Sequence, residues 1–418
     1  LGPVLYLTLK KKGRQGMLRG AMIGVAFFFT ATVYLLGCQT RFTSPFMNYA
    51  AIREIRDEGV METVFANVCS PYNAEYSFAV DERYTLTPLL SYDFYDGGGS
   101  RAGRDRLHIR HGAAGTTVTV DDNVAFTPEL LRLGRKGGAE YQEGFEGELR
   151  MFEGEADGWL RNGSDQDFDR VCILAGGRLF LLGELAAGEQ KKLSEAETVL
   201  IPGYEYYYTC VRIAGSEAGG SIAENPAAAL ASWRQQMAYY YISMMMTTDK
   251  QEATILAFPK NEEIRLLRDS DMEVRGATLV AELMEVDYEQ GGRLYVPCLE
   301  EGPLVLQGNY DEADNSTYVG ELVLQYSLGS LQAESIRLEW PELSGGETSV
   351  CLFEGSIEFF NWKTRSYDQM EQKGEYAAGE IGDYLDQDNR LTIRYISNIA
   401  EEYTYEQLLP RIAVTGRK

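Results

Sequence analysis

Residues 146–193 read EGELRMFEGEADGWLRNGSDQDFDRVCILAGGRLFLLGELAAGEQKKL. One strand ends in Gly158-Trp159-Leu160-Arg161-Asn162 and runs into the polar turn Gly163-Ser164-Asp165. A second strand is expected over residues 168–174 and a third over 178–182, with Gly176-Gly177 turning the chain between them. Short apolar runs separated by Gly, Asn, Asp and Ser are the signature of an antiparallel sheet. This stretch makes the protein mainly β.

C-terminal to it, residues 199–213 read as further strand, with Tyr204, Tyr206, Tyr207 and Tyr208 alternating between core and surface. Residues 215–221 form a Gly/Ser-rich hinge. A helix is expected to begin at Asn225-Pro226, with Asn as N-cap and Pro at the first helical position. Leu230, Trp233, Met237, Tyr240 or Tyr241, and Met244 recur at steps of three and four, which puts one apolar stripe on this linking helix. Thr254-Ile255-Leu256-Ala257-Phe258 is a buried strand closed by Pro259. From Gly276 onward the chain is β again. Ile336, Leu338 and Trp340 alternate with Arg337 and Glu339, so that strand buries one face and wets the other.

N-terminal to the module, strands are expected at 62–68, 76–80, 84–90 and 116–120. Asp121-Asp122-Asn123 reads as a turn. Before them lies MLRGAMIGVAFFFTATVYLLG, residues 17–37, uncharged from Ala21 to Leu36. About 20 apolar residues cross a bilayer's hydrocarbon core. Lys10, Lys11, Lys12, Arg14 and Arg19 all precede the apolar core, and no acid does. The positive-inside rule then places the N-terminus in the cytoplasm and the bulk outside. Phe42, Phe46 and Tyr49 are expected to form an aromatic collar at the membrane interface. Two forms of anchor fit. Leu35-Leu36-Gly37-Cys38 resembles a bacterial lipobox, with Cys38 the lipidated residue. Residues 1–9, LGPVLYLTL, also read as the tail of an earlier membrane helix, which makes residues 1–39 a helical hairpin. The hairpin is favoured.

Of 418 residues 44% are hydrophobic, enough for two or three domains beyond the anchor. Net charge is −24; beyond the basic head, 34 basic residues face 63 acidic ones. So acidic a body disfavours nucleic acid. Cys38, Cys69, Cys172, Cys210, Cys298 and Cys351 make no CxxC pair. Cys172, Cys210 and Cys351 read as core residues, with a Cys172–Cys210 disulfide open if their strands face each other. His108 and His111 are the only histidines, and no carboxylate cluster accompanies them. No metal, cofactor or catalytic residue is expected. Asp383, Asp386 and Asp388 read as a solvated turn rather than a hydrolase's carboxylate pair.

The 146–193 pattern resembles extracytoplasmic immunoglobulin-like β-sandwiches of bacteria, in which Gly183 and Gly188 would serve turns and Asn162 would cap a hairpin. Phe360-Asn361-Trp362-Lys363-Thr364-Arg365-Ser366-Tyr367-Asp368 looks like the strand-turn-strand "Y-N-W-x-T-G-x-W-D" of a C-terminal jelly roll. Arg365 stands where Gly is usual and Tyr367 where Trp is usual. With residues 1–12 and the second apolar stretch, these patches resemble a family of uncharacterised, membrane-anchored extracytoplasmic proteins of Gram-positive bacteria. The resemblance implies a surface protein working beside an export or ABC-type transport system.

The expected organisation is an anchor over 1–39, a β region over 40–142, an Ig-like β-sandwich over 143–215, a linking helix and strand over 216–275, and a jelly-roll-like β-sandwich over 276–418. The expected function is non-catalytic: a scaffold in the cell membrane, its bulk extracytoplasmic, holding a protein partner. The alternative is glycan binding by the C-terminal sandwich through Trp362, Tyr367 and Tyr395.

Overall fold

The computed structural model describes residues 44–418 apart from 57–58, 90–105, 113–114, 138–143, 202–205, 216–225, 246–251, 262–263, 269, 300, 313, 319, 342–349, 372–373 and 400–405. The expected anchor and Cys38 lie outside the described residues. Among the described residues no helix is long and apolar enough to cross a membrane.

The protein is mainly β. One long sheet carries, in order, Glu197–Leu200, Arg178–Leu185, Phe168–Ala175, Glu252–Pro259, Glu273–Asp287, Phe46–Arg56, Gly59–Cys69, Glu129–Gly137 and Thr85–Pro88. Phe46–Arg56 runs parallel to Glu273–Asp287, with Phe46 opposite Glu273 and Ile55 opposite Glu282. Strand pairing therefore crosses positions 142, 215 and 275.

At one end the long sheet closes a β-sandwich with Leu267–Arg268, Tyr76–Val80, Gly115–Val120 and Leu107–Gly112. Met47, Val64, Phe78, Val118 and Leu133 fill it. On the same end Glu62 is buried, opposite Arg53 on one neighbouring strand and Arg135 on the other. Arg53 approaches it to 3.0 Å and Arg135 to 3.7 Å, and the Tyr84 hydroxyl donates to it. Both flanking strands thus supply a guanidinium to a carboxylate that would otherwise be buried without a counter-charge.

The middle of the long sheet is covered on both faces. In front, Phe145–Phe152, Glu155–Asn162 and Gln190–Lys192 form a small sheet. Leu149, Leu160, Ile173, Phe180 and Ile255 pack between the two. Behind lie two helices, α1 (Tyr206–Ala214) and α2 (Pro226–Tyr240). Cys172, Leu256, Phe258, Cys210 and Met237 pack there. This is why 255–258 is unbroken apolar: Ile255 and Ala257 face forward, Leu256 and Phe258 backward.

The strand expected over 199–213 is corrected. Strand ends at Leu200, and Tyr206–Ala214 is helix. Cys210, Ile213 and Ala214 are buried, and their spacing of three and four, not the tyrosine run, governs the segment. Tyr204 lies outside the described residues. The aromatic collar is also corrected. Phe46 and Tyr49 belong to a strand in the middle of the long sheet, and Tyr49 packs in the sandwich core; Phe42 lies outside the described residues. Cys172 and Cys210 share one core and are both free thiols. Burial pushes the Cys210 thiol up to about 12.

Asn162 is wholly buried, and its side-chain amide donates to the carbonyls of Gln166 (2.7 Å), Ala186 (3.1 Å) and Leu185 (3.3 Å). It thus ties together two turns that are adjacent only in space. Gly188 takes φ +73° in the second of them. Gly183, also at φ +73°, sits within Arg178–Leu185 opposite an irregular stretch of pairing with Phe168–Ala175.

The C-terminal part is a second β-sandwich. One sheet holds Glu289–Gln290, Arg293–Val296, Arg411–Arg417, Gln332–Glu339 and Glu375–Ala377. The other holds Leu304–Gln307, Glu321–Ser327, Arg390–Ser397, Gly355–Asn361 and Ser366–Gln369. Leu324, Ile336, Phe359, Tyr376, Ile393 and Val414 make its core. Two turns of the central body dock on it. Arg178 reaches Glu339 at 2.8 Å, Arg411 donates to the Gly177 carbonyl at 2.9 Å, and Arg293 bridges Glu153 (2.7 Å) and Glu334 (2.9 Å).

Candidate functional site

α2 packs on Glu273–Asp287 and touches Phe46–Arg56, leaving the neighbouring back face of the long sheet partly open. Asn48 lies opposite Asn67, and Ala50 opposite Phe65, on that face. With Trp233, Met237 and Tyr240 of α2 they line a groove of about 460 Å³. Tyr240 meets Phe65 edge to face at 5.6 Å. Three carboxamides, Asn48, Asn67 and Gln236, supply donors and acceptors without charge.

Past Trp233 and Tyr49 the groove continues into a second depression of about 310 Å³, bordered by Arg234, Lys260 and Arg275. Each cation there already has a counter-charge: Arg234 on Asp169, Lys260 on Glu184 at 3.3 Å, and Arg275 on Glu273. Arg234 is buried because it also donates to the Pro259 carbonyl at 3.0 Å and lies 5.3 Å over the Phe258 ring. The lining is thus apolar wall plus neutral amide, a surface for binding. Of the stripe readable from sequence, Leu230 and Met237 pack on the sheet, Trp233 and Tyr240 line the groove, and Met244 lies beyond α2 and is exposed. The sheet half of the groove was not readable, because Asn48, Phe65 and Asn67 meet α2 only through strand pairing.

The residues singled out for glycan contact separate. Trp362 is 41% exposed on the hairpin of Gly355–Asn361 and Ser366–Gln369. Phe360 stands edge-on to both Trp362 (4.9 Å) and Tyr367 (5.1 Å). Arg394 covers one face of the Tyr367 ring at 4.0 Å. Tyr395 is corrected: it is 0% exposed, edge-on to Phe353 at 5.4 Å within the core. Neighbours on a strand face opposite ways, so Arg394 outside means Tyr395 inside.

Asp386 accepts the amides of Asp388 (2.9 Å) and Arg390 (2.8 Å), the turn expected of that stretch. His108 pairs with Asp121 at 2.8 Å and His111 bonds Thr116 at 3.0 Å on an exposed edge. Among the described residues no three His, Cys, Asp or Glu side chains are grouped as a metal site. Glu282 lies apart from the groove: burial pushes its carboxyl up to about 7, against the pull of the Phe145 amide it accepts at 2.7 Å.

Residues 144–287 match the family described as a domain of unknown function, DUF8725. The match begins at the first strand of the small front sheet and ends with Glu273–Asp287, and so contains α1, α2 and the four groove-lining residues Trp233, Gln236, Met237 and Tyr240. No curated protein matches the sequence. Among solved structures the chain is similar to the yeast delta-COP-I mu-homology domain, at 8% identity, and to that domain complexed with Dsl1 WxWxV peptide, at 9% identity. In both cases the TM-score is 0.24, over 59% of this chain and 96% of the other.

Proposed function

We propose that this chain is a non-catalytic, membrane-anchored extracytoplasmic protein that holds a partner polypeptide in the groove beside α2. The observation that carries the reading is the groove itself, an apolar cleft with three neutral amides and every bordering cation already paired. Neutral amides suit a partner's backbone, and aromatic walls suit its apolar side chains. In this reading residues 17–37 anchor the chain, the central and C-terminal bodies are of the Ig-like and jelly-roll-like kinds, and the partner belongs to an ABC-type transport system of a Gram-positive cell. A photo-crosslinking side chain at Gln236 in native membranes should capture one discrete protein, and Trp233→Ala with Tyr240→Ala should abolish the adduct. An adduct pattern indifferent to both substitutions refutes the groove. Digestion of a C-terminal tag by protease added to intact cells tests the sidedness.

Exposed Trp362 favours a second reading, glycan binding by the C-terminal sandwich through Trp362 and Tyr367. Binding of a glycan array that Trp362→Ala removes supports it, and an array blank for the parent protein discards it.

A further inference from the structure

Leu304–Gln307 is the outermost strand of its sheet, paired only with Glu321–Ser327. It reads Leu-Val-Leu-Gln, and Leu304, Val305 and Leu306 are 60%, 42% and 51% exposed. No other strand among the described residues exposes three consecutive apolar side chains. Proteins ordinarily protect such an edge with a charge, a proline or a covering loop. The opposite edge of the same sheet, Ser366–Gln369, does so with Asp368. Here Pro303 precedes the strand and Gly308, at φ +93°, follows it, but the strand itself carries no charge. The irregularity in its pairing falls between Val305 and Gln307, on the side turned to Glu321–Ser327.

The chain on either side of this strand is acidic. Residues 301–321 contain Glu301, Asp311, Glu312, Asp314 and Glu321, and no Lys, Arg or His. The Glu312 carboxylate lies against Gly302, two residues before the strand. Burial and the neighbouring Asp311 hold the Asp314 carboxyl above its ordinary range. Glu321, on the paired strand, meets Arg394 at 3.6 Å.

We propose that Leu304–Gln307 accepts an added strand from a partner protein's extended segment, in which apolar residues alternate with Lys or Arg. The free ladder would supply backbone hydrogen bonds, the exposed leucines and valine would take the partner's apolar side chains, and the surrounding carboxylates would select its cations. A second copy of this chain fits poorly, because pairing two such edges brings like charges together. The site is separate from the groove beside α2, so either can fail without the other.

The test uses the full chain in mild detergent and a fluorescein-labelled decapeptide of alternating Val and Lys, read by anisotropy. Saturable binding that weakens with added salt, and that falls about tenfold or more in the Leu304→Lys/Leu306→Lys variant, supports the proposal. Both leucines are exposed, so the variant should keep the parent's melting temperature and circular dichroism, which are measured alongside. An alternating Val–Glu decapeptide should not bind. No anisotropy change with the Val–Lys peptide, or equal binding by the double variant, overturns the proposal. So does a dimer in light scattering that the double variant abolishes, since the occupant is then a second copy.

Discussion

Arg178, on the edge of the turn that opens Arg178–Leu185, donates to Glu339 of the C-terminal sandwich at 2.8 Å, and Tyr295 donates to the same oxygen at 3.1 Å. The carboxylate is buried and the guanidinium mostly so. Removing one partner leaves the other charge stranded out of water, which typically costs about 3–5 kcal/mol. Glu339→Ala should therefore destabilise the protein by about that amount and split urea unfolding into two transitions, as the C-terminal sandwich comes loose. Replacing both residues, Arg178→Met with Glu339→Leu, should recover most of the loss. A single transition with an unchanged midpoint for Glu339→Ala would mean that the two bodies are held by other contacts.

Glu282 makes stability fall as pH rises. Its folded carboxyl titrates near 7 against an ordinary 4.5, so the folded state holds the proton more tightly than the unfolded chain does. The stabilisation is fully present below about pH 4.5 and is lost as pH climbs through 7. Glu282→Gln should match the parent near pH 4 and exceed it in denaturant midpoint at pH 8. Parallel pH curves for the two proteins would contradict the assignment.

Tyr395 and Trp362 should respond oppositely to truncation. Tyr395→Ala empties a core position and should cost about 3–5 kcal/mol in urea denaturation. Trp362→Ala removes a half-exposed ring from a hairpin and should cost roughly 1 kcal/mol or less. Equal losses would place Trp362 in the core as well.

Strands were legible where period-2 alternation or an unbroken apolar run spoke for itself, as in Glu155–Asn162, Phe168–Ala175 and Glu252–Pro259. Helix α2 was legible from Pro226 and its stripe. What failed were segments carrying two patterns at once. Tyrosines at 204–208 read as period two, while Cys210, Ile213 and Ala214 obey the helical period, and burial on the sheet decides for the helix. Phe46 and Tyr49 read as an interface because they follow an apolar stretch, yet their strand is held by pairing with Glu273–Asp287, more than 200 residues away. The groove was half legible for the same reason: α2 announces its face, but the strand register opposite it is non-local. The Glu62 network was not legible at all, since Arg53, Glu62, Tyr84 and Arg135 meet only through register.

Gly158 shows a glycine fixed by close approach. It pairs with Leu149 at φ +124°, and a Cβ there would run into the Glu148 carbonyl oxygen. Gly158→Ala must push the two strands of the front hairpin apart, at a cost of about 2–4 kcal/mol. The measurement is the urea midpoint, with near-ultraviolet dichroism of neighbouring Trp159 reporting whether the hairpin has shifted.

Arg365 is the reverse case, a position that asks for glycine and lacks it. It takes φ +58° in the turn between Gly355–Asn361 and Ser366–Gln369, with its amide bonded to the Asn361 carbonyl at 2.8 Å. Asn361 holds the rest of the turn, accepting the amides of Lys363 (3.0 Å) and Thr364 (3.1 Å) and donating to Asp368 (2.8 Å). A side chain in the left-handed region costs about 1–2 kcal/mol, and glycine's extra freedom in the unfolded chain returns part of that. The Arg365 side chain is exposed, so little packing is lost on removing it. Arg365→Gly should therefore stabilise the protein by about 0.5–1 kcal/mol, read as a raised melting temperature. Arg365→Ala should not stabilise it, because alanine keeps the Cβ that the turn disfavours. A gain from alanine equal to that from glycine would show that the arginine's charge, not its backbone, is what the turn opposes.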